Sequence, residues 1–135
     1  MTLLDTRVSP DRSLEGLTRC TDADLGTAHW WACLARNLDA LAEDLATADT
    51  DGLAAQIIAD APEYAASAKL LTTLDTQLRC DVLELRHQVA DLSGSPTSAF
   101  EVRDEVIRLI RRVRTLDRQS RELLVEAYGR DLGGE

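Results

Sequence analysis

Residues 106–125, VIRLIRRVRTLDRQSRELLV, decide the fold, because apolar or small side chains recur there at steps of three and four. That spacing places one stripe of side chains along a single face of an α-helix. The same periodicity reaches back to Val102 and forward to Ala127, so the stretch predicts one long amphipathic helix. The stripe consists of Val102, Val106, Leu109, Val113, Leu116, Ser120, Leu123 and Ala127.

Two earlier segments, at about 22–48 and 62–92, carry stripes of the same kind, and a short amphipathic helix is expected around 53–59. The breaks TADTDG (47–52) and SGSPTS (93–98) separate them. Short breaks between long helices favour antiparallel neighbours. The prediction is an all-α, antiparallel up-down helical bundle of three long helices plus a short helix and an N-terminal segment, with coiled-coil-like seams. The two earlier stripes are Trp31, Leu34, Leu38, Leu41 and Leu45, and then Leu71, Leu74, Leu78, Val82, Leu85, Val89 and Leu92.

The chain of 135 residues is expected to form one domain. Residues 1–20 show the weakest pattern and are predicted to be a loosely ordered N-terminal segment. Residues 21–130 are predicted to be the helical bundle domain, and residues 131–135 a flexible tail.

The formal net charge of -9 disfavours nucleic acid as a partner, because phosphate neutralisation requires a basic surface. No apolar run approaches the length of a membrane span, and the first residues lack the core of a signal peptide. We therefore expect a cytoplasmic protein with no membrane partner. Arginine far outnumbers lysine, which is Lys69 alone, and this bias with abundant Ala, Leu and Asp is typical of a high-GC bacterial host.

The arginines of the last helix are the first candidate site. Arg111, Arg114, Arg118 and Arg121 fall on one face, opposite the apolar stripe. Guanidinium groups bind carboxylates and phosphates in a bidentate manner, so this face predicts an acidic protein partner or an anionic small molecule such as a nucleotide.

The alternative is a solvated helix face whose arginines pair with acidic residues one turn away, as most charged faces do. Arg111 and Arg114 have no acidic residue four positions away. They lie near Ile107 and Ile110, which are apolar but off the main stripe, so this small basic and apolar surface is where we expect a partner first.

Trp30 is a further candidate for partner binding. About 100° separates adjacent residues on a helix, so Trp30 is offset from the stripe that contains Trp31. Tryptophan is enriched at interface anchors. Packing in the core is the alternative for Trp30.

Cys80, Glu84 and His87 share one helix face and are weak candidates for metal ligands. A metal site needs more ligands than these, so none is predicted. No catalytic motif and no cofactor-binding motif is present, and no catalytic residue or cofactor is predicted.

The three cysteines, Cys20, Cys33 and Cys80, are odd in number and widely spaced, which does not indicate a disulfide framework. Reduced thiols are therefore expected. A redox role would require two of them to lie close together, or one of them to be an exposed thiolate of low pKa.

Together these features predict a small non-enzymatic regulatory or adaptor protein, anti-factor-like or chaperone-like, that binds another protein or a second copy of itself through a helical face. The first alternative is a ligand-sensing bundle that binds an anionic small molecule at the arginine stripe. The second alternative is a metal or thiol-redox protein.

Overall fold

The computed structural model describes residues 11–22, 24–93 and 98–129, and these ranges are helical throughout apart from short connections. No strand occurs in them. The predicted all-α helical bundle is therefore confirmed. Its helices are α1 (Asp11–Asp22), α2 (Ala28–Thr47), α3 (Thr50–Asp60), α4 (Ala65–Leu92) and α5 (Ala99–Leu124), with a 3-10 turn at Pro62–Tyr64 and a π-helical turn at Val125–Gly129.

Helix α1 changes the predicted boundary at residue 20. Residues 11–20 are helical and pack into the bundle, because Leu14, Leu17 and Cys20 recur every three residues and are buried. The segment that the sequence predicts to be loosely ordered therefore contains a core helix. Residues 1–10 and 131–135, the rest of that segment and the predicted tail, lie outside the described residues.

The ends of α2 and α3 show why those helices begin where they do. Thr27 is the N-cap of α2, and its hydroxyl accepts a hydrogen bond from the backbone N–H of Trp30 at 3.1 Å. Asp49 caps α3 in the same way for the N–H of Gly52, and its backbone is left-handed, with φ at 40°. A β-carbon at position 52 would overlap the Asp49 carboxylate in this position, so glycine leaves the space that the capping side chain occupies.

The apolar stripes of α2 and α5 form the core as predicted, and every residue of both stripes is buried. In α4 the stripe differs at two positions, since Leu74 is half-buried while its neighbour Asp75 is buried, and Leu92 at the end of the helix is also half-buried. Asp75 lies four residues after Leu71 and three before Leu78, which is the regular spacing of a heptad. The buried stripe of α4 therefore passes through Asp75 and not through Leu74.

The buried carboxylate of Asp75 is paired within its own helix. Arg79 Nε donates to Asp75 Oδ2 at 2.8 Å, and Arg79 Nη2 donates to the same oxygen. The Asp75 side chain is only 2% exposed, whereas the Arg79 side chain is 34% exposed. A buried charge is tolerated when it is paired and hydrogen-bonded, so Arg79 allows a carboxylate to occupy a core position.

Polar contacts between helices show how neighbouring elements pair. Cys20 near the end of α1 contacts Cys33 near the start of α2, and Ser13 near the start of α1 donates a hydrogen bond to Asp44 near the end of α2. These two contacts match opposite directions of α1 and α2. The antiparallel order of the whole bundle and the coiled-coil character of its seams stay predictions.

Two ion pairs connect the other long helices. Arg86 Nε on α4 lies 2.8 Å from Asp39 Oδ1 on α2, and Arg112 Nη2 on α5 lies 2.7 Å from Asp81 Oδ2 on α4. Each pair is partly exposed, so each contributes about 1 kcal/mol or less. Apolar burial therefore supplies most of the stability of these helix contacts.

Tyr128 connects the turn after α5 to the end of α3. Its hydroxyl donates to Asp60 Oδ2 at 2.9 Å. Burial raises the pKa of Tyr128 from 10.0 to about 12, and the hydrogen bond to Asp60 and the charge of Asp60 add to this effect. The folded protein therefore favours the protonated phenol.

The raised pKa of Tyr128 predicts a loss of stability at alkaline pH. The contribution of the protonated Tyr128 to the free energy of unfolding is complete below pH 10.0, the ordinary pKa of tyrosine. This contribution falls as the pH rises towards 12. Tyr128→Phe should lack this part of the alkaline decline in the free energy of unfolding, measured by urea titration across that range. Tyr64→Phe is the control and should keep the decline. An equal alkaline loss in wild type and Tyr128→Phe would contradict the assignment.

The burial of the α2 stripe predicts a large cost of truncation. Leu38 is 0% exposed, so Leu38→Ala should lower the free energy of unfolding by about 2–5 kcal/mol through lost burial and a cavity. Leu83 is 54% exposed, and the same change there should cost less than about 0.5 kcal/mol. Urea unfolding of both variants measures the difference, and similar losses would refute this description of the core.

Candidate functional site

A surface groove of about 450 Å³ lies between α1 and the C-terminal half of α5 and continues into the π-helical turn. We call it the α1–α5 groove. Leu14 of α1 and Val125, the first residue of the π-helical turn, give it an apolar lining. Val125 is 59% exposed and accessible from solvent, whereas Leu14 is buried.

Charged side chains of both signs line the same groove. Its arginines are Arg114, Arg118 and Arg121. Its acidic residues are Asp117, Glu122 and Glu126, so the formal charges of these six side chains cancel. The α1–α5 groove therefore combines an apolar surface with a balanced charged rim.

Two of the three groove arginines belong to ion pairs within α5. Arg121 Nε lies 3.1 Å from Asp117 Oδ2, and Arg118 Nε lies 3.9 Å from Glu122 Oε1. These are the one-turn pairs of the solvated-face alternative, and each contributes a few tenths of a kcal/mol. For Arg114, the part of the chain that the structure describes shows no ion pair.

The structure divides the predicted arginine stripe. Arg114, Arg118 and Arg121 line the α1–α5 groove, but Arg111 lines a separate groove of about 340 Å³ between α4 and α5. The face that carries the arginines lies between two neighbouring helices, α1 on one side and α4 on the other. Arg111 and Arg114, which the sequence suggests as one surface, therefore lie in different grooves.

The apolar residues predicted beside those arginines are largely covered. Ile110 is buried in the core, and Ile107 is half-buried. A second face of α5 is covered because α5 contacts both α1 and α4. The small basic and apolar surface expected around Arg111, Arg114 and these isoleucines is therefore not present as one exposed patch.

Trp30 lies in the core, with 0% of its surface exposed. Its ring packs edge-to-face against Trp31, with ring centroids 4.8 Å apart and an interplanar angle of 80°. Both adjacent tryptophans are buried because α2 contacts α1 and α4 on different faces. Trp30 presents no exposed indole surface to a partner, and the core-packing alternative describes it.

The weak metal candidates Cys80, Glu84 and His87 are all exposed on α4. Within residues 11–22, 24–93 and 98–129, no three histidine, cysteine, aspartate or glutamate side chains are arranged to hold a metal ion. The structure therefore adds no further ligand to the three that the sequence suggests.

The expectation of three unpaired, reduced thiols is wrong for two of them. Cys20 and Cys33 form a disulfide with a Cα–Cα distance of 6.2 Å, and Cys80 is a free, exposed cysteine. A separation of 13 residues looks wide in the sequence, but α1 and α2 fold back on each other at the turn around Gly26. The nearly equal distance of both cysteines from that turn is the signal that predicts their contact.

No protein-family model matches this chain, no curated protein does, and no solved structure does. In the described ranges, every helix is too short or too polar to cross a bilayer.

Proposed function

We propose that the protein is a non-enzymatic regulatory or adaptor protein, anti-factor-like or chaperone-like, that binds a helical segment of another protein in the α1–α5 groove. The observation that carries the proposal is the exposed side chain of Val125, which shares with the buried Leu14 a groove lined by charges of both signs. An amphipathic helix offers matching chemistry, with apolar anchors along one face and charged residues on either side.

The charge balance of the groove favours a protein partner over an anionic small molecule. A phosphate site concentrates donors and positive charge. Here the groove is lined by as many carboxylates as arginines, and Arg118 and Arg121 already have acidic partners within α5. A phosphate group would have to displace those partners and approach three carboxylates.

The distribution of exposed apolar residues also favours this groove. Leu70 and Leu83 are exposed on α4, but they lie about 140° apart around that helix, and Phe100 is exposed near the start of α5. Scattered single apolar residues are ordinary on protein surfaces. Val125 differs because it borders a groove whose inner wall includes the buried Leu14.

The proposal includes a cytoplasmic, bacterial setting and a partner that is a different protein. A second copy of the chain is the alternative occupant, in which case the protein would be a homodimer. Light scattering of the purified protein distinguishes these two occupants.

Paired variants of the full chain test the groove. Val125→Asp with Arg114→Glu changes the groove, and Leu70→Asp with Arg36→Glu makes the same chemical changes at exposed positions outside it. Cross-linking in host extract followed by mass spectrometry identifies what each chain captures. We expect wild type and the control to capture the same partner and the groove variant to lose at least about tenfold in affinity.

Two outcomes would contradict the proposed function. One is equal capture of the same partner by the groove variant. The other is a strictly monomeric wild type that captures nothing. A thermal-shift screen with phosphorylated metabolites addresses the anionic-ligand alternative, since stabilisation that disappears in Arg114→Ala with Arg118→Ala would support that alternative instead.

A further inference from the structure

The contact between α1 and α2 contains a built polar site around the cysteine pair. Gly16 and Cys20 lie one turn apart on α1, and Cys33 and Asn37 lie one turn apart on α2. The disulfide joins Cys20 to Cys33. Cys20 is 1% exposed, whereas Cys33 is half-buried, so Cys33 is the more accessible sulfur.

The side-chain amide of Asn37 contacts both sulfurs. Its Nδ2 lies 3.4 Å from Cys20 Sγ and 3.5 Å from Cys33 Sγ, and it donates to the Cys33 carbonyl oxygen at 2.8 Å. The bond to the carbonyl fixes the direction of the amide. A disulfide sulfur is a weak acceptor, whereas a thiolate is a charged one, so this donor stabilises the reduced pair more than the oxidised pair.

Gly16 makes the position of Asn37 possible. A β-carbon at Gly16 would overlap the Asn37 side-chain oxygen and contact its amide carbon. Glycine is unfavourable in the middle of a helix, and Gly16 lies in the middle of α1. Its presence there is explained by the space that the Asn37 amide needs.

We propose that Cys20 and Cys33 form a reversible dithiol–disulfide centre, with Asn37 as a positioning residue, and that oxidation fastens α1 to α2. A hydrogen-bond donor beside both sulfurs stabilises the reduced pair. A permanent disulfide is never reduced, so it would gain nothing from this stabilisation. In the cytoplasm, moreover, disulfides are usually transient and catalytic or redox-sensing.

The oxidant class is a low-molecular-weight disulfide, RSSR. The Cys33 thiolate attacks one sulfur of RSSR, which forms a mixed disulfide on Cys33 and releases one RS⁻. The Cys20 thiolate then attacks Cys33 Sγ, forms the Cys20–Cys33 bond and releases the second RS⁻. Two protein thiols are oxidised, one RSSR is reduced, and the two protein protons pass through solvent to the two RS⁻ ions.

This centre also bears on the α1–α5 groove, a consequence that rests on the proposed function. Helix α1 supplies Leu14 to the groove and Cys20 to the disulfide, and two turns or less separate these residues. Fastening α1 to α2 therefore fixes one wall of the groove. Reduction leaves that wall held by the packing of Leu14 and Leu17 and by the contact of Ser13 with Asp44.

The redox test uses the full chain in mixtures of reduced and oxidised glutathione at varied ratio, followed by alkylation of free thiols and intact mass spectrometry. Cys20 and Cys33 should be oxidised and reduced together while the protein stays folded, in wild type and in the Cys80→Ser control. Hydrogen–deuterium exchange in residues 11–22 should become about tenfold faster or more on reduction, and Cys20→Ser should exchange equally fast in every mixture.

Three results would overturn the centre. The first is that no disulfide forms in the most oxidising mixture, and the second is that the disulfide is reduced only when the protein unfolds. The third is that hydrogen–deuterium exchange in α1 is the same in the oxidised and reduced protein. Neither these readouts nor the rate measurements below require a partner. Failure of groove binding thus leaves this proposal standing, and failure of this proposal leaves groove binding to be judged by its own variants.

The positioning role of Asn37 is tested by rates. Starting from the reduced protein, Asn37→Ala should slow the reaction of Cys33 with oxidised glutathione by about fivefold, the effect of one ordinary hydrogen bond. The rate–pH profile of Asn37→Ala should move to higher pH, because the variant lacks the donor that stabilises the thiolate. Asn37→Asp keeps the shape, removes the donor and should be slower still, whereas Gly16→Ala should resemble Asn37→Ala because it displaces the amide. Equal rates and profiles in all four proteins would refute the role.

Discussion

Helix α2 is buried on two faces at once, and the positions of the other helices follow from this constraint. One face contacts α1 and another contacts α4, so two adjacent tryptophans and the whole leucine stripe lie inside. Aromatic side chains bury roughly 150–250 Å² each and dominate core energetics. Covering Trp30 and Trp31 therefore requires α1 as well as the long helices. That requirement explains why the N-terminal helix is part of the core.

The stripes of α2 and α5 could be predicted from the sequence because regular spacing is a local property of a helix. Asp75 could not, since a charged residue in an apolar stripe contradicts the simple pattern. Its burial depends on the regular step from Leu71 to Leu78 and on pairing with Arg79. The contact of Cys20 with Cys33 depends on how α1 and α2 fold back, which is a tertiary property that cysteine spacing alone does not report.

The candidate site shows the same division between local and tertiary information. That the arginines lie on an exposed face of α5 follows from their spacing, and Arg111, Arg114, Arg118 and Arg121 are all exposed. Their division between two grooves depends on which helices lie on either side of α5. Ile110 and Trp30 became core residues for the same reason, because a third helix covers faces that a two-helix seam would leave open.

Helix α1 links the two proposed properties of the molecule. It has 12 residues, and isolated helices of that length are marginal in water, so its order depends on tertiary contacts. A covalent bond to α2 therefore adds to the tertiary contacts that hold this short helix in place. The same helix forms one wall of the α1–α5 groove, whereas the opposite wall belongs to the 26-residue helix α5 and its terminal turn. The groove therefore has one wall on a short helix and one on a long helix, and the cysteine pair lies on the side of the short one.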